Sequence, residues 1–310
     1  FGTAPVISVS PVLEYNFGNQ RVGSASAPVA YTVTNTGDAP LNLRGVTLSG
    51  TNPGSFSLSG TTSGVIAPSA NVQFTVSFGP ATLGLHTATL NIDSDSAGGP
   101  AAVTLTYRDV RGTGTAPSIN VTPNIAQNFG NQRIGTASAP IVYTIQNLST
   151  TDALNVRSVA FNGTGTPAAF ALSGTLSGLV PPGNQIQFSV VFQPSATGPF
   201  NAQVEIDSDS GGTTSIVTLT QRDVQGNGAA PVISVSGTQS FGSGIVGVAS
   251  PSSPITYSVN NTGNAPLEIN AISIVGSHPG DFSLSAAAPP TSSRCPSWRP
   301  RQARAWPTSA

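Results

Sequence analysis

The chain contains no lysine and no methionine, a single cysteine and two tryptophans, and only 7% of its residues are charged. An ordinary soluble domain carries about 25%. Each shortage excludes something. Up to Ser285 there are seven arginines against twelve acidic residues, so no basic stripe tracks phosphates and nucleic-acid binding is not expected. Cys295 is alone and permits no intrachain disulfide, so the fold must be held by packing. No apolar run approaches the roughly 20 residues of a membrane span, and no signal peptide is visible. No Cys/His metal spacing and no glycine-rich loop running from a strand into a helix is present, so no cofactor is expected. What is present is 38% hydrophobic residues, which argues against disorder, together with 34 glycines and 26 prolines. That balance fits an all-β protein with many turns.

A repeat organises the chain. Phe17-Gly18-Asn19-Gln20-Arg21 returns as Phe129-Gly130-Asn131-Gln132-Arg133, and a looser copy begins at Phe241-Gly242. Tyr31, Tyr143 and Tyr257 keep nearly the same beat, as do Pro5, Pro117 and Pro231. The step of 112 residues is longer than a solenoid or propeller unit and is the size of a domain. The reading is two complete modules, residues 1–115 and 116–229, an incomplete third over 230–285, and an irregular tail over 286–310. The first residues match the motif at Gly114-Thr115-Ala116-Pro117, so a piece of a longer array is expected.

Within a module the apolar residues alternate. Val72-Gln73-Phe74-Thr75-Val76-Ser77-Phe78 is the clearest case, repeated as Ile186-Gln187-Phe188-Ser189-Val190-Val191-Phe192, and a pleated strand sends such a set to one side. Ala88, Leu90 and Ile92 predict a second inward row, and Val103, Leu105 and Tyr107 a last one, repeated as Val217, Leu219 and Gln221. The segments 29–33, 41–48 (with a bulge near Gly45), 56–58 and 6–9 complete seven or eight strands with no amphipathic helix. The expected fold is therefore all-β: tandem immunoglobulin-like sandwiches of two antiparallel sheets, the third copy truncated. Gly112-Thr-Gly-Thr-Ala-Pro117 and Gly226-Asn-Gly-Ala-Ala-Pro231 read as short linkers joining the modules into a rod.

The order of motifs (Phe-Gly … Val-Gly, Asn-Thr-Gly-Asp-Ala-Pro-Leu, Phe-Ser-Leu-Ser-Gly, Val-Gln-Phe-Thr-Val-Ser-Phe-Gly-Pro, Leu-Asn-Ile-Asp-Ser-Asp) resembles the choice-of-anchor D repeats of bacterial surface proteins. It is similar also to the wider ASH (abnormal-spindle and hydin type) immunoglobulin-like superfamily, which is related to major sperm protein domains. The resemblance covers residues 4 to about 285. It implies a seven- to eight-stranded sandwich serving as a spacer or interaction module, and it brings no catalytic residues.

After Ser285 the pattern stops. Both tryptophans, Cys295 and four arginines (Arg294, Arg299, Arg301, Arg304) lie in this tail. Two readings are open: a basic-aromatic tail for anionic surfaces, and the product of a frameshift in a GC-rich gene, which the composition favours. Copy three lacks counterparts of three strands, about nine inward side chains. At roughly 1.5–3 kcal/mol each, that is on the order of 15–25 kcal/mol, more than the roughly 5–15 kcal/mol of a whole domain.

Asp93-Ser94-Asp95-Ser96 and Asp207-Ser208-Asp209-Ser210 are the best chemical candidates. Alternating oxygens at Asp93, Asp95, Asp207 and Asp209 could ligate calcium, but the remaining ligands are missing, and turn residues that bond their own backbone are the competing reading. His86 is replaced by Phe200 in module two, which marks a half-buried packing site. His278 and Asn52 each precede Pro-Gly, the chemistry of a type II turn. Neither histidine recurs beside an acid, so no Ser-His-Asp triad is expected. Arg108-Asp109-Val110 and Arg222-Asp223-Val224 could be recognition loops or charge pairs trimming a strand end. Asn120, Asn147, Asn162 and Asn260 begin glycosylation sequons.

The expected function is therefore non-catalytic: a spacer or interaction module of a large repetitive cell-surface or secreted bacterial protein. Its partner, an unknown protein or glycan, would be met through edge strands or loops. A dedicated adhesin, or a ciliary or centrosomal scaffold, is the alternative.

Overall fold

The computed structural model describes residues 3–98, 103–212, 218–236, 240–249 and 255–285. The expectations for the tail after Ser285, Cys295 included, and for Val217 lie outside the described residues.

Module one is a two-layered sandwich. One sheet has the order β1 (Ile7–Ser10), β3 (Val29–Asn35), β7 (Asn71–Phe78) and β5 (Phe56–Gly60). The other has β2 (Tyr15–Arg21), β9 (Thr104–Thr115), β8 (Gly84–Ser94), β4 (Leu41–Ser49) and β6 (Gly64–Ile66). Alternation decides which residues meet between them. Val9, Tyr31, Val33, Phe56, Phe74, Val76 and Phe78 come from the first sheet, and Leu41, Leu43, Val46, Ala88, Leu90, Ile92 and Val110 from the second. Tyr31 stacks on Phe74 at a centroid distance of 5.4 Å. The bulge expected near Gly45 is a register shift between Leu43 and Gly45.

Module two repeats the plan. β10 (Ile119–Thr122), β12 (Ile141–Asn147), β16 (Gln185–Phe192) and β14 (Phe170–Gly174) form one sheet. β11 (Gln127–Arg133), β18 (Thr218–Ala229), β17 (Gly198–Ser208), β13 (Leu154–Gly165) and β15 (Gly178–Val180) form the other. Its core runs from Val121 to Val224 and shares no residue with that of module one. In copy three, β19 (Ile233–Val235) pairs with β20 (Val259–Asn261).

Four expectations need correction. First, the sheets are not purely antiparallel: β2 runs parallel to β9, and β11 parallel to β18. The recurrent Phe-Gly-Asn-Gln-Arg motif is thus a strand, bulged between Asn16 and Asn19, where Gly18 takes a φ of +71° that suits glycine.

Second, the supposed linkers are strand. β9 runs on to Thr115 and pairs Gly114 with Gly84, and Thr115 with Arg21. The glycines are there for closeness, not bending. A Cβ on Gly112 would strike the Phe78 ring, and one on Gly226 would lie 2.6 Å from the Phe192 ring. Third, Val103, Leu105 and Tyr107 face outward, at 69%, 45% and 54% exposure, and Leu219 follows them. The inward row of β9 is Thr104, Thr106, Arg108, Val110, Gly112 and Gly114, a set that hydropathy does not flag. Fourth, Pro53–Ser55 and Pro279–Asp281 are 3-10 turns rather than type II turns, so Gly54 and Gly280 need no positive φ.

Candidate functional site

The feature with the most chemistry is the junction between modules one and two. Arg21 ends β2, and its carbonyl accepts the Ser24 hydroxyl at 2.7 Å. Its guanidinium crosses to module two. There Nη1 donates to the Ala153 carbonyl at 3.1 Å, and Nη2 donates to the carbonyls of Gly212 (3.3 Å) and Asp209 (3.4 Å). Nη2 also lies 2.9 Å from Asp209 Oδ2, with the Asp209 side chain only 2% exposed. Arg133, the counterpart of Arg21 in the repeat, donates to the Pro266 carbonyl of copy three at 2.9 Å. Pro266 precedes Leu267 as Ala153 precedes Leu154. The same arginine therefore reaches the same carbonyl at both junctions.

The Asp-Ser-Asp-Ser segments build the receiving end. Asp93 accepts Arg44 Nη2 at 2.7 Å, and Asp207 accepts Arg157 Nη2 at 2.6 Å. These hydrogen bonds push both guanidinium pKa values up from their usual range, Arg44 by Asp93 and Arg157 by Asp207. Asp95 Oδ1 accepts the Asn42 N–H, and Asp209 Oδ1 the Asn155 N–H, both at 2.8 Å. Ser96 and Ser210 hydroxyls accept the N–H groups of Ile7 and Ile119, both at 2.9 Å. The four candidate calcium ligands are thus committed to arginines and backbone, and no group of three or more His, Cys, Asp or Glu able to hold a metal converges among the described residues. A cation at Asp93, Asp207 or Asp209 would have to displace an arginine.

The remaining candidates have structural partners. His86 is 3% exposed, more deeply buried than expected. Its Nδ1 lies 2.8 Å from Ser55 Oγ and its Nε2 3.0 Å from the Thr82 carbonyl. That pair has a carbonyl where a triad needs a carboxylate. At the matching place Phe200 packs on Phe192, just as His86 packs on Phe78. His278 occupies the N-cap position of the 3-10 turn without a side-chain capping bond.

Arg108 does not pair with Asp109, which corrects the charge-pair reading. It reaches over the open edge of β1 and donates to the carbonyls of Val9 (3.2 Å) and Pro11 (3.1 Å). Arg222 does the same to Val121 and Pro123. Asp109 accepts the Thr89 hydroxyl, and Asp223 the Gln203 amide.

Sequence reading assigned no buried role to Asn35, Asn147 or Asn261. Asn35 and Asn147 are fully buried. Asn35 Nδ2 donates to Ala39 (2.8 Å) and Ile66 (3.0 Å), while its Oδ1 accepts Gly37 N–H (3.0 Å). Asn147 makes the same set with Asp152, Val180 and Ser149. Its sequon is spent inside the fold. Recurrence of one amide at one register position was the available signal.

Residues 5–108 match the family described as HYDIN/CFA65/VesB-like, Ig-like domain. No curated protein matches the chain. Among solved structures, the ASH/PapD-like domain of human CEP192 (PapD-like domain 7) is 15% identical with a TM-score of 0.32, covering 36% of this chain and 86% of that one. The Vibrio cholerae VesB protease is 16% identical with a TM-score of 0.28, covering 34% of this chain and 31% of its own. Module one is thus similar to the immunoglobulin-like domains of the HYDIN/CFA65/VesB kind.

Proposed function

We propose that this chain is a non-catalytic spacer in a large repetitive protein of a bacterial cell surface or of its secretions, and that its modules are set end to end by an arginine joint. The observation that carries the reading is the repeated bridge, Arg21 to Ala153 and Asp209, and Arg133 to Pro266. A flexible tether needs no such bridge. A spacer that must hold its length does, because the bridge and the strand running through Thr115 both restrict bending at the junction.

Separate cores support the reading, since modules one and two are each complete before they are joined. Any partner, protein or glycan, would meet loops or the sheet edges. The edge strands β5 and β6 span only five and three residues, which limits strand addition. The choice-of-anchor D resemblance favours the surface setting over a ciliary scaffold.

Small-angle scattering of the chain tests the proposal. An extended particle is expected, and Arg21→Ala is expected to broaden its distribution of lengths. A compact particle, or one indifferent to Arg21, overturns it.

A further inference from the structure

Module one carries the same socket that module two uses to hold Arg21. Asp95 N–H donates to the Asn42 carbonyl at 3.3 Å, as Asp209 N–H does to Asn155. Ala97 N–H donates to Pro5 at 2.7 Å, as Gly211 N–H does to Pro117. The Thr104 hydroxyl donates to the Ser96 carbonyl at 2.8 Å, and Thr218 to Ser210 at 2.7 Å. With Oδ1 taken by the Asn42 N–H, Oδ2 of Asp95 is the counterpart of the Asp209 oxygen that meets Arg21. Asp95 is 6% exposed, and among the described residues no arginine sits on it.

Asp95 Oδ2 is not sealed off from solvent, so an incoming cation can reach it without opening the fold. By the repeat, the carbonyls of Pro40, Asp95 and Gly98 correspond to those of Ala153, Asp209 and Gly212, which receive the guanidinium. The Asp95 carbonyl meanwhile accepts the Gly98 N–H at 3.2 Å and keeps a second lone pair for a donor. Gly212, under Arg21, is buried, whereas Gly98 is partly open. The second copy of the socket shows what fills it, and the filling is an arginine at the end of a bulged strand.

We infer that the Asp95 end of module one is a docking surface for another immunoglobulin-like module of this kind, which inserts the arginine of an Asn-Gln-Arg-Val/Ile-Gly turn. Planar guanidinium geometry suits it, because one carboxylate oxygen and three carbonyls must be met together. A lysine would satisfy the charge but not the fork. The inference rests on the joint described under Proposed function and extends it from the internal junctions to the outer face of module one.

The test uses an extended chain in which residues 4–115 are repeated ahead of Ala4, so that the added copy runs into Ala4-Pro5 as Thr115 runs into Ala116-Pro117. Joining in cis supplies the effective concentration that a single ion pair needs. Amide exchange at residues 95–98 is expected to slow roughly tenfold or more relative to the natural chain. The slowing should vanish when the added copy carries Arg21→Ala, and with Asp95→Asn, which keeps the acceptor for Asn42 but removes the charge.

Unchanged exchange in the extended chain, or slowing that survives Arg21→Ala in the added copy, overturns the inference. The natural chain with Arg21→Ala is the control. If exchange at residues 209–212 does not respond there, the joint itself fails. If 209–212 respond and 95–98 do not, only the outer docking surface fails.

Discussion

Tyr31 and Tyr143 place phenolic hydroxyls in the core with no hydrogen-bond partner. Burial pushes the pKa of each up from 10.0 to about 12. Below pH 10 both folded and unfolded chains hold the proton, so neither tyrosine contributes a pH dependence. Between about 10 and about 12 the unfolded chain loses the proton and the folded one keeps it. Unfolding is then favoured as pH rises, by on the order of 2–3 kcal/mol per tyrosine. Tyr31→Phe with Tyr143→Phe is expected to leave neutral-pH stability unchanged or raised, because an unpaired buried hydroxyl is removed. It should also flatten the alkaline fall, which denaturant melts at pH 8 and 11.5 would measure. At the same scale, calcium should leave the melting temperature unmoved, because Asp93, Asp207 and Asp209 already hold arginines and Asp95 has no further acidic or histidine ligands converging on it among the described residues. A calcium-dependent rise would restore the cation-site reading.

Elements whose two faces differ in hydropathy were legible in the sequence. β7 and β8 follow their alternation residue by residue, and the bulge at Gly45 falls where it was expected. β9 defeated the same reasoning. Its inward row holds threonine, an arginine clamping the carbonyls of Val9 and Pro11, and glycine under Phe78, while its apolar residues face out. The Gly-x-Gly spacing looked like a hinge because glycine signals both bending and close approach, and only the phenylalanine across the sandwich distinguishes them. Gly112→Ala should therefore cost about 1–3 kcal/mol through overpacking against Phe78, and Gly226→Ala the same against Phe192. Chemical denaturation of the two single variants checks this. Loss below about 0.5 kcal/mol would mean that these glycines serve as linkers after all. The junction was illegible for another reason: Arg21 and Asp209 are 188 residues apart, and nothing local connects them.

For the whole molecule, the third copy decides how much of the chain is folded. Its register follows the first two through Phe282-Ser283-Leu284-Ser285, and then the sequence carries no counterpart of β7, β8 or β9. With the inward row of β9 corrected, the buried side chains without counterpart are those of Phe74, Val76, Phe78, Ala88, Leu90, Ile92 and Val110. At roughly 1.5–3 kcal/mol each they are worth on the order of 10–20 kcal/mol, still as much as a domain's whole margin. Ile233, Val235, Phe282 and Leu284 are accordingly about half exposed, and a two-stranded pairing such as β19 with β20 is marginal in water. The contact from Arg133 to Pro266 is one hydrogen bond from an exposed arginine, too little to offset that deficit. Limited proteolysis should hence trim the chain to a fragment ending near Ala229, with a melting curve that matches the intact protein. A resistant fragment reaching past Ser285 would show instead that copy three finds its missing strands elsewhere, and that the modules do not each close alone.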